Sequence, residues 1–338
     1  MATLAQDGIN STIINTVLLV LTIIFMLLRL IKKRNALGLE DWLLCVAMLF
    51  LVLGDIGVWL MAVKGGEGFS IRTLNREQVK LFLKMLYWTE LAYAIVIPTI
   101  KFSILVSYFK IFSVLRWFRF ALYGTGVLEA LWFLGVFPAV IFQCTPIKKA
   151  WNPSRPGHCI ELIPFLWANS IANTILDYTI LLLPVLPVWR LQMSKEQKLL
   201  VLASFSLGSL ASIASTMRTI RTNKINTNDI TESVFEDFMW TSVERHCGII
   251  SACLPFLARY FGHGLLSFLM ALSSLVSKPV TLLGKHFQSN NTQRREIAAS
   301  SLTHRARYEL DGVHSKDQER FPHVVSKRAS NISVRQLV

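Results

Sequence analysis

Charge is scarce in this chain and sparse in its apolar stretches. Only 17% of the 338 residues are Asp, Glu, Lys or Arg, against about 25% in ordinary soluble domains. With 53% hydrophobic residues, that deficit excludes a typical water-soluble fold. Catalytic signatures are missing too. There is no Gly-x-Ser-x-Gly elbow, no Walker phosphate loop and no His-Glu-x-x-His pair, so neither a soluble hydrolase nor a nucleotide or zinc-protease site is indicated. The five cysteines, Cys45, Cys144, Cys159, Cys247 and Cys253, form no metal-ligand spacing, and neither a metal nor another cofactor is expected. Lysine is absent from Phe238 to Tyr260, which leaves no Schiff-base residue there and argues against retinal.

What the chain does have is a series of apolar blocks. A run of about 18 or more apolar residues is the length needed to cross a bilayer core. Such blocks run from near Thr12 to Ile31, Trp42 to Val63, Phe82 to Phe112, Phe120 to Phe142, Leu162 to Trp189, Leu199 to Met217 and Phe238 to Tyr260. The expected fold is all-α, a polytopic bundle of seven transmembrane helices over residues 12–260. The net charge of +14 need not mean nucleic acid. Arg29 ends the first block and Lys32, Lys33 and Arg34 follow it, where long basic side chains can snorkel to the membrane interface, and Lys110, Arg116 and Arg119 mark the end of the third. The positive-inside rule then puts both connectors in the cytoplasm. Residues 1–11 become a short extracytoplasmic N-terminus before a retained signal anchor, and the C-terminus is cytoplasmic.

By alternation, the connectors after the fourth and sixth blocks face outward. The latter, Arg218 to Asp237, reads as a loop whose acids Asp229, Glu232, Glu236 and Asp237 are solvated. Residues 261–285 read as an interfacial amphipathic segment, because their uninterrupted apolar part is short for a span. Residues 286–338 read as a disordered basic tail. Asn10-Ser11-Thr12 is a glycosylation sequon at the edge of the first helix.

Ionisable residues inside the blocks are costly and are functional candidates by default, although interhelical ties use the same groups. Lys101 stands in the third block, Asp55 in the second, Glu129 in the fourth, and Glu244, Arg245 and His246 in the seventh. Asn169, Asn173 and Asp177 recur at four-residue spacing and so share one helix face. Lys101 and Asp177 lie at similar depth, so an ion pair between them would answer the cost of burying the lysine. Glu90 falls on nearly the same face of the third helix as Lys101. Cys144 and Cys159 share the first long outer loop, where an oxidising compartment permits a disulfide. The alternative is two free thiols in a loop shaped by Trp151 and its prolines.

Four ordered motifs carry a resemblance. They are Lys101-Phe-Ser-Ile-Leu-Val-Ser-Tyr108-Phe-Lys-Ile-Phe112; Phe142-Gln-Cys144-Thr-Pro146 with Trp151 and Gly157-His-Cys159; Asp177 with Leu183-Pro184-Val-Leu-Pro187-Val-Trp189-Arg-Leu191; and Trp240-Thr-Ser-Val-Glu244 with Gly248 and Leu254-Pro255. Together they resemble the fungal rhodopsin-like domain family, that of the satratoxin-cluster integral membrane protein. The chain departs from the family in two places. Glu40-Asp41 stands where paired aspartates are common, and Gly65-Gly-Glu67-Gly lacks the histidine often found there.

The resemblance implies a seven-helix membrane protein, in the plasma membrane or an endomembrane, acting in or alongside fungal secondary-metabolite biosynthesis. It would be an accessory factor or an embedded enzyme, such as a cyclase, on a lipophilic small molecule. Glu90, Asp177 and Glu244 would then be the catalytic candidates, as proton donors or carbocation stabilisers. The alternative is a receptor-like signalling protein without a cysteine-rich ectodomain, whose basic connectors meet an acidic cytoplasmic partner or anionic lipid.

Overall fold

The computed structural model describes residues 6–34, 36–69, 73–112, 115–185, 187, 195–223 and 234–257. The expected interfacial segment and tail, and Asp229 and Glu232, lie outside the described residues. Seven long α-helices run through the described part: α1 (Gln6–Lys33), α2 (Leu39–Leu60), α3 (Arg76–Phe112), α4 (Arg116–Ile141), α5 (Leu162–Leu182), α6 (Lys195–Thr222) and α7 (residues 235–257). A single π-turn, Met61–Gly65, closes α2. A two-stranded hairpin, β1 (Cys144–Thr145) with β2 (His158–Cys159), sits between α4 and α5.

Among the described residues, four helical stretches are long and apolar enough to cross a membrane: Gly8–Lys33, Leu39–Gly65, Arg76–Lys110 and Arg116–Ile141. Their polarity is that of a protein in lipid. On α1 the exposed residues Ile13, Val17, Val20, Ile24, Leu27 and Ile31 repeat every three or four positions and form one outward apolar stripe. The ionisable Arg29, Asp55, Lys101, Glu129, Glu244, Arg245 and His246 are all buried. With no water to receive them, they must find partners inside.

Helix α3 is the hub. Its N-terminal half packs Phe82 and Leu86 with Val58 of α2, Met61 of the π-turn, and Val234 and Phe238 at the start of α7. Tyr93 and Ile97 meet Trp132 of α4 and Leu176 of α5. Leu105 meets Phe118 and Leu122 of α4 and Ile180 of α5. Close approach of α2 depends on Gly54 and Gly57. A Cβ on Gly57 would lie 2.9 Å from Thr89 Cγ2, and one on Gly54 would lie 2.9 Å from Arg245 Nη1. On the far side, Leu18 of α1 packs with Ala214 of α6 and with Val243 and Cys247 of α7.

Candidate functional site

Lys101 Nζ lies 3.2 Å from Asp177 Oδ1 and 3.5 Å from Glu129 Oε2, and it donates to Asn173 Oδ1 at 2.7 Å. Trp132 lies alongside, its ring centre 5.5 Å from the ammonium nitrogen. The four-residue spacing on α5 stacks Asn173 over Asp177, and Asn173 Nδ2 donates to Asp177 Oδ2 and to Glu244 Oε1. Glu244 also accepts from Tyr93 OH and from Arg218 Nε, at 3.1 and 3.0 Å. Arg218 Nη2 completes the circuit by donating to Tyr93 OH at 2.7 Å.

One continuous charged layer therefore joins α3, α4, α5, α6 and α7. Two cations, Lys101 and Arg218, face three carboxyl groups, those of Glu129, Asp177 and Glu244. At this depth water screens little, so these charges act strongly on one another and on any polar group brought against them.

The layer lies between two cavities of about 70 Å³ each. One, toward the C-terminal end of α3 and termed the inner cavity, reaches from Lys101, Asp177 and Glu244 to Tyr108, Ser251 and Pro255. The other, toward the N-terminal end of α3 and termed the outer cavity, has Tyr93, Arg218 and Arg245 in its lining, apolar walls that include Val58, Leu86, Val140 and Phe238, and polar Glu90, Asn169 and Asp237. Above it stands the disulfide hairpin, with Cys144 bonded to Cys159. Gly157 (φ +149°) is required there, because a Cβ would collide with the Thr145 carbonyl oxygen. Tyr87 of α3 donates to the Ile141 carbonyl and packs against Trp151. These contacts fix Gln143, whose Nε2 donates to Glu90 Oε2 at 3.4 Å.

Two further clusters flank this centre. Asp55 of α2 meets Arg245 Nη2 and His246 Nε2 of α7 at 3.4 and 3.3 Å. His246 Nδ1 lies 2.7 Å from the Ser242 carbonyl oxygen, so Nδ1 carries a proton and donates it. At the other end of the helices, Arg29 Nε lies 2.8 Å from Asp41 Oδ1, and Arg29 Nη1 donates to the Ala252 carbonyl. Lys33 and Lys110 both pair with Glu40. Asp41 Oδ2 also accepts from the Gly38 amide, as an acidic side chain in a first helical turn should.

The structure thus brings Lys101, Glu129, Asn173, Asp177 and Glu244 into one layer. It leaves Glu90, Asn169 and Arg245 in the lining of the outer cavity and sets Asp55 and His246 outside both it and the layer. Asn10 lies inside α1. Among the described residues no group of His, Cys, Asp and Glu is placed to hold a metal ion.

Three expectations are corrected. Residues Arg218–Thr222 are helical rather than loop, and Arg218 is buried in the layer. Asp237 and Glu236 are not simply solvated: Asp237 lines the outer cavity and accepts from Thr222, and Glu236 pairs with Arg221. Arg29 and Lys33 do not reach out to a membrane surface but are held by acids of α2. Arg218 and Tyr93 were not singled out by sequence. The one available signal was the polar row Ser212, Ser215, Arg218, Thr219 and Thr222, which continues a helical face past the first charge.

Residues 25–263 match the fungal rhodopsin domain. A SAT4 family membrane protein of Emericella nidulans is 31% identical over 220 residues, 61% of this chain and 53% of the relative. Satratoxin biosynthesis SC1 cluster protein 4 of Stachybotrys chartarum is 25% identical over 164 residues, 48% of this chain and 59% of the relative. Receptor GIN3 of Arthrobotrys oligospora is 26% identical over 224 residues, 64% of this chain and 52% of the relative. The chain therefore spans only a little over half the length of these relatives. No solved structure matches it. Since the matched segment covers well over half of the 338 residues and carries the charged layer and the disulfide hairpin, the chain is a membrane protein that belongs to the fungal rhodopsin domain family.

Proposed function

We propose that this chain is a seven-helix, multi-pass membrane protein that acts in or alongside fungal secondary-metabolite biosynthesis by holding a lipophilic small molecule in its outer cavity. The observation that carries the reading is the cavity itself, apolar in its walls, with Tyr93 and Arg218 of the charged layer and the carboxyls of Glu90 and Asp237 in its lining. Such a site holds an apolar body by burial and orients it by a few fixed polar groups. A carboxyl there supplies a proton donor, and the ion-paired Asp177 and Glu244 of the layer can stabilise a developing positive charge, if the bound molecule is to react. The satratoxin-cluster relative supports the metabolic setting.

The N-terminus lies outside and the C-terminus in the cytoplasm in this reading. Lys33 of α1 and Lys110 of α3 share Glu40, so the basic ends of both helices lie at one level, where the positive-inside rule favours the cytoplasm. The membrane is the plasma membrane or an endomembrane, and the basic connectors there suit anionic lipid or an acidic partner.

Deleting the gene and profiling metabolites tests the proposal. A lost end product or an accumulated precursor is expected, reproduced by Glu90→Gln or Asp177→Asn at normal protein level. Unchanged metabolites in the deletion strain would refute it.

A receptor-like role is the second reading, favoured by the likeness to a protein named a receptor and by the Arg29–Asp41 lock. That lock ties α1 and α2 to the Ala252 carbonyl of α7, so a ligand-driven shift of α7 would be felt at the cytoplasmic end. Here deletion changes transcription while the metabolite pattern keeps every intermediate in proportion.

A further inference from the structure

We infer that the outer cavity selects a compact apolar molecule carrying a protonated amine. This rests on the outer cavity being the binding site. The polar groups that line this cavity are short of donors for their acceptors.

The two cations in the cavity lining are each paired with a carboxyl group outside it. Arg218 gives Nε to Glu244 and Nη2 to Tyr93. Arg245 gives Nη2 to Asp55, and its Nη1 is, among the described residues, the one buried N–H of the lining without a protein acceptor. The acceptors lack such partners. Glu90 receives one long bond from the neutral Gln143, and Asp237 receives one from the neutral hydroxyl of Thr222. Among the described residues neither carboxylate is in ion-pair contact with a cation. Asn169, nine-tenths buried in the same lining, has an Oδ1 that accepts from nothing.

Two carboxylates and an amide oxygen, on α3, α7 and α5, thus face a space walled by Val58, Leu86, Val140 and Phe238. An ammonium group supplies three donors and one positive charge, which is the complement of that set. A carboxylate head group would add acceptors to a lining already rich in them, and a hydroxyl would supply a single donor and no charge.

Three cage compounds that differ only in their head group test this: amantadine, 1-adamantanol and 1-adamantanecarboxylate. Each is titrated into the purified full chain in detergent, and thermal unfolding is followed. Amantadine should raise the unfolding temperature saturably, the alcohol should act only weakly, and the acid should have no effect. Glu90→Gln or Asn169→Leu should weaken the apparent amantadine affinity about tenfold or more, as expected for a lost charge-assisted bond. Val140→Phe, which fills the space without changing charge, should abolish the response and keeps the test open if the polar variants fail to fold.

Repeating the titration in phosphatidylcholine nanodiscs with and without phosphatidylethanolamine separates two sources of the amine. Competition by phosphatidylethanolamine assigns it to a lipid headgroup, and lack of competition assigns it to a free small molecule. An equal or stronger response to the acid or alcohol overturns the amine inference and leaves the cavity reading standing. An amantadine shift that survives Val140→Phe overturns the assignment to this cavity. No response to any of the three, together with normal metabolites in the Glu90→Gln strain, overturns both readings.

Discussion

Arg218 Nε meets Glu244 Oε2 at 3.0 Å, with side chains 6% and 3% exposed, and this pair closes the polar circuit between α6 and α7. Charges this deeply buried are supported by each other and by Tyr93 and Asn173. Removing one partner of such a pair strands the other.

Arg218→Met should therefore cost about 3 to 5 kcal/mol, the loss typical of breaking a buried ion pair. It should be read as lower folded yield and a lower unfolding temperature in detergent. The double variant Arg218→Met with Glu244→Gln should recover much of the loss, since no uncompensated charge remains.

Lys101 serves two carboxyls, Asp177 and Glu129. Lys101→Met should consequently destabilise the protein more than Asp177→Asn does. Thermal unfolding of the two variants checks the order. Adding Asp177→Asn to Lys101→Met should restore part of the stability.

The approach of α2 to α3 leaves no space at Gly57. Thr89 is stiff at its branched Cβ and donates its hydroxyl to the Leu86 carbonyl, so it cannot swing away. Gly57→Ala should destabilise by about 1 to 3 kcal/mol, the usual cost of overpacking. Gly124→Ala, which meets nothing within 4 Å, is the matched control and should be close to neutral.

The Cys144–Cys159 bond closes a loop with a sequence separation of 15. Cys144→Ser should cost about 3 kcal/mol through loop entropy. Because Gln143 sits beside this bond, the variant should also weaken amantadine binding. Unfolding and titration of the same sample read both effects.

The helices were legible in the sequence because each is an apolar run long enough to stand out, and the disulfide because its two cysteines share one connector, whereas the two short strands beside it carried no signal of their own. Lys101 was legible as a cost that something had to answer, and the spacing on α5 pointed to Asp177 as its nearest partner. Arg218 was not. It follows the last strongly apolar stretch of α6 and is succeeded by Thr219, Arg221 and Thr222, a composition that reads equally well as the start of a polar loop. Only its partners on α3 and α7 give it a reason to be buried. The Arg29–Asp41 pair was hidden differently: a basic cluster at a helix end has an ordinary explanation at a membrane surface, and no spacing rule reveals that the next helix supplies the acid.

The bound molecule is proposed to lie in the outer cavity, and the most direct test is the metabolite profile of a strain carrying Val140→Phe. At wild-type protein abundance, that strain should reproduce the profile of the deletion strain, while Ala211→Phe in the lining of the inner cavity should not. A wild-type profile from Val140→Phe, with normal abundance and with the deletion itself showing a defect, would contradict it.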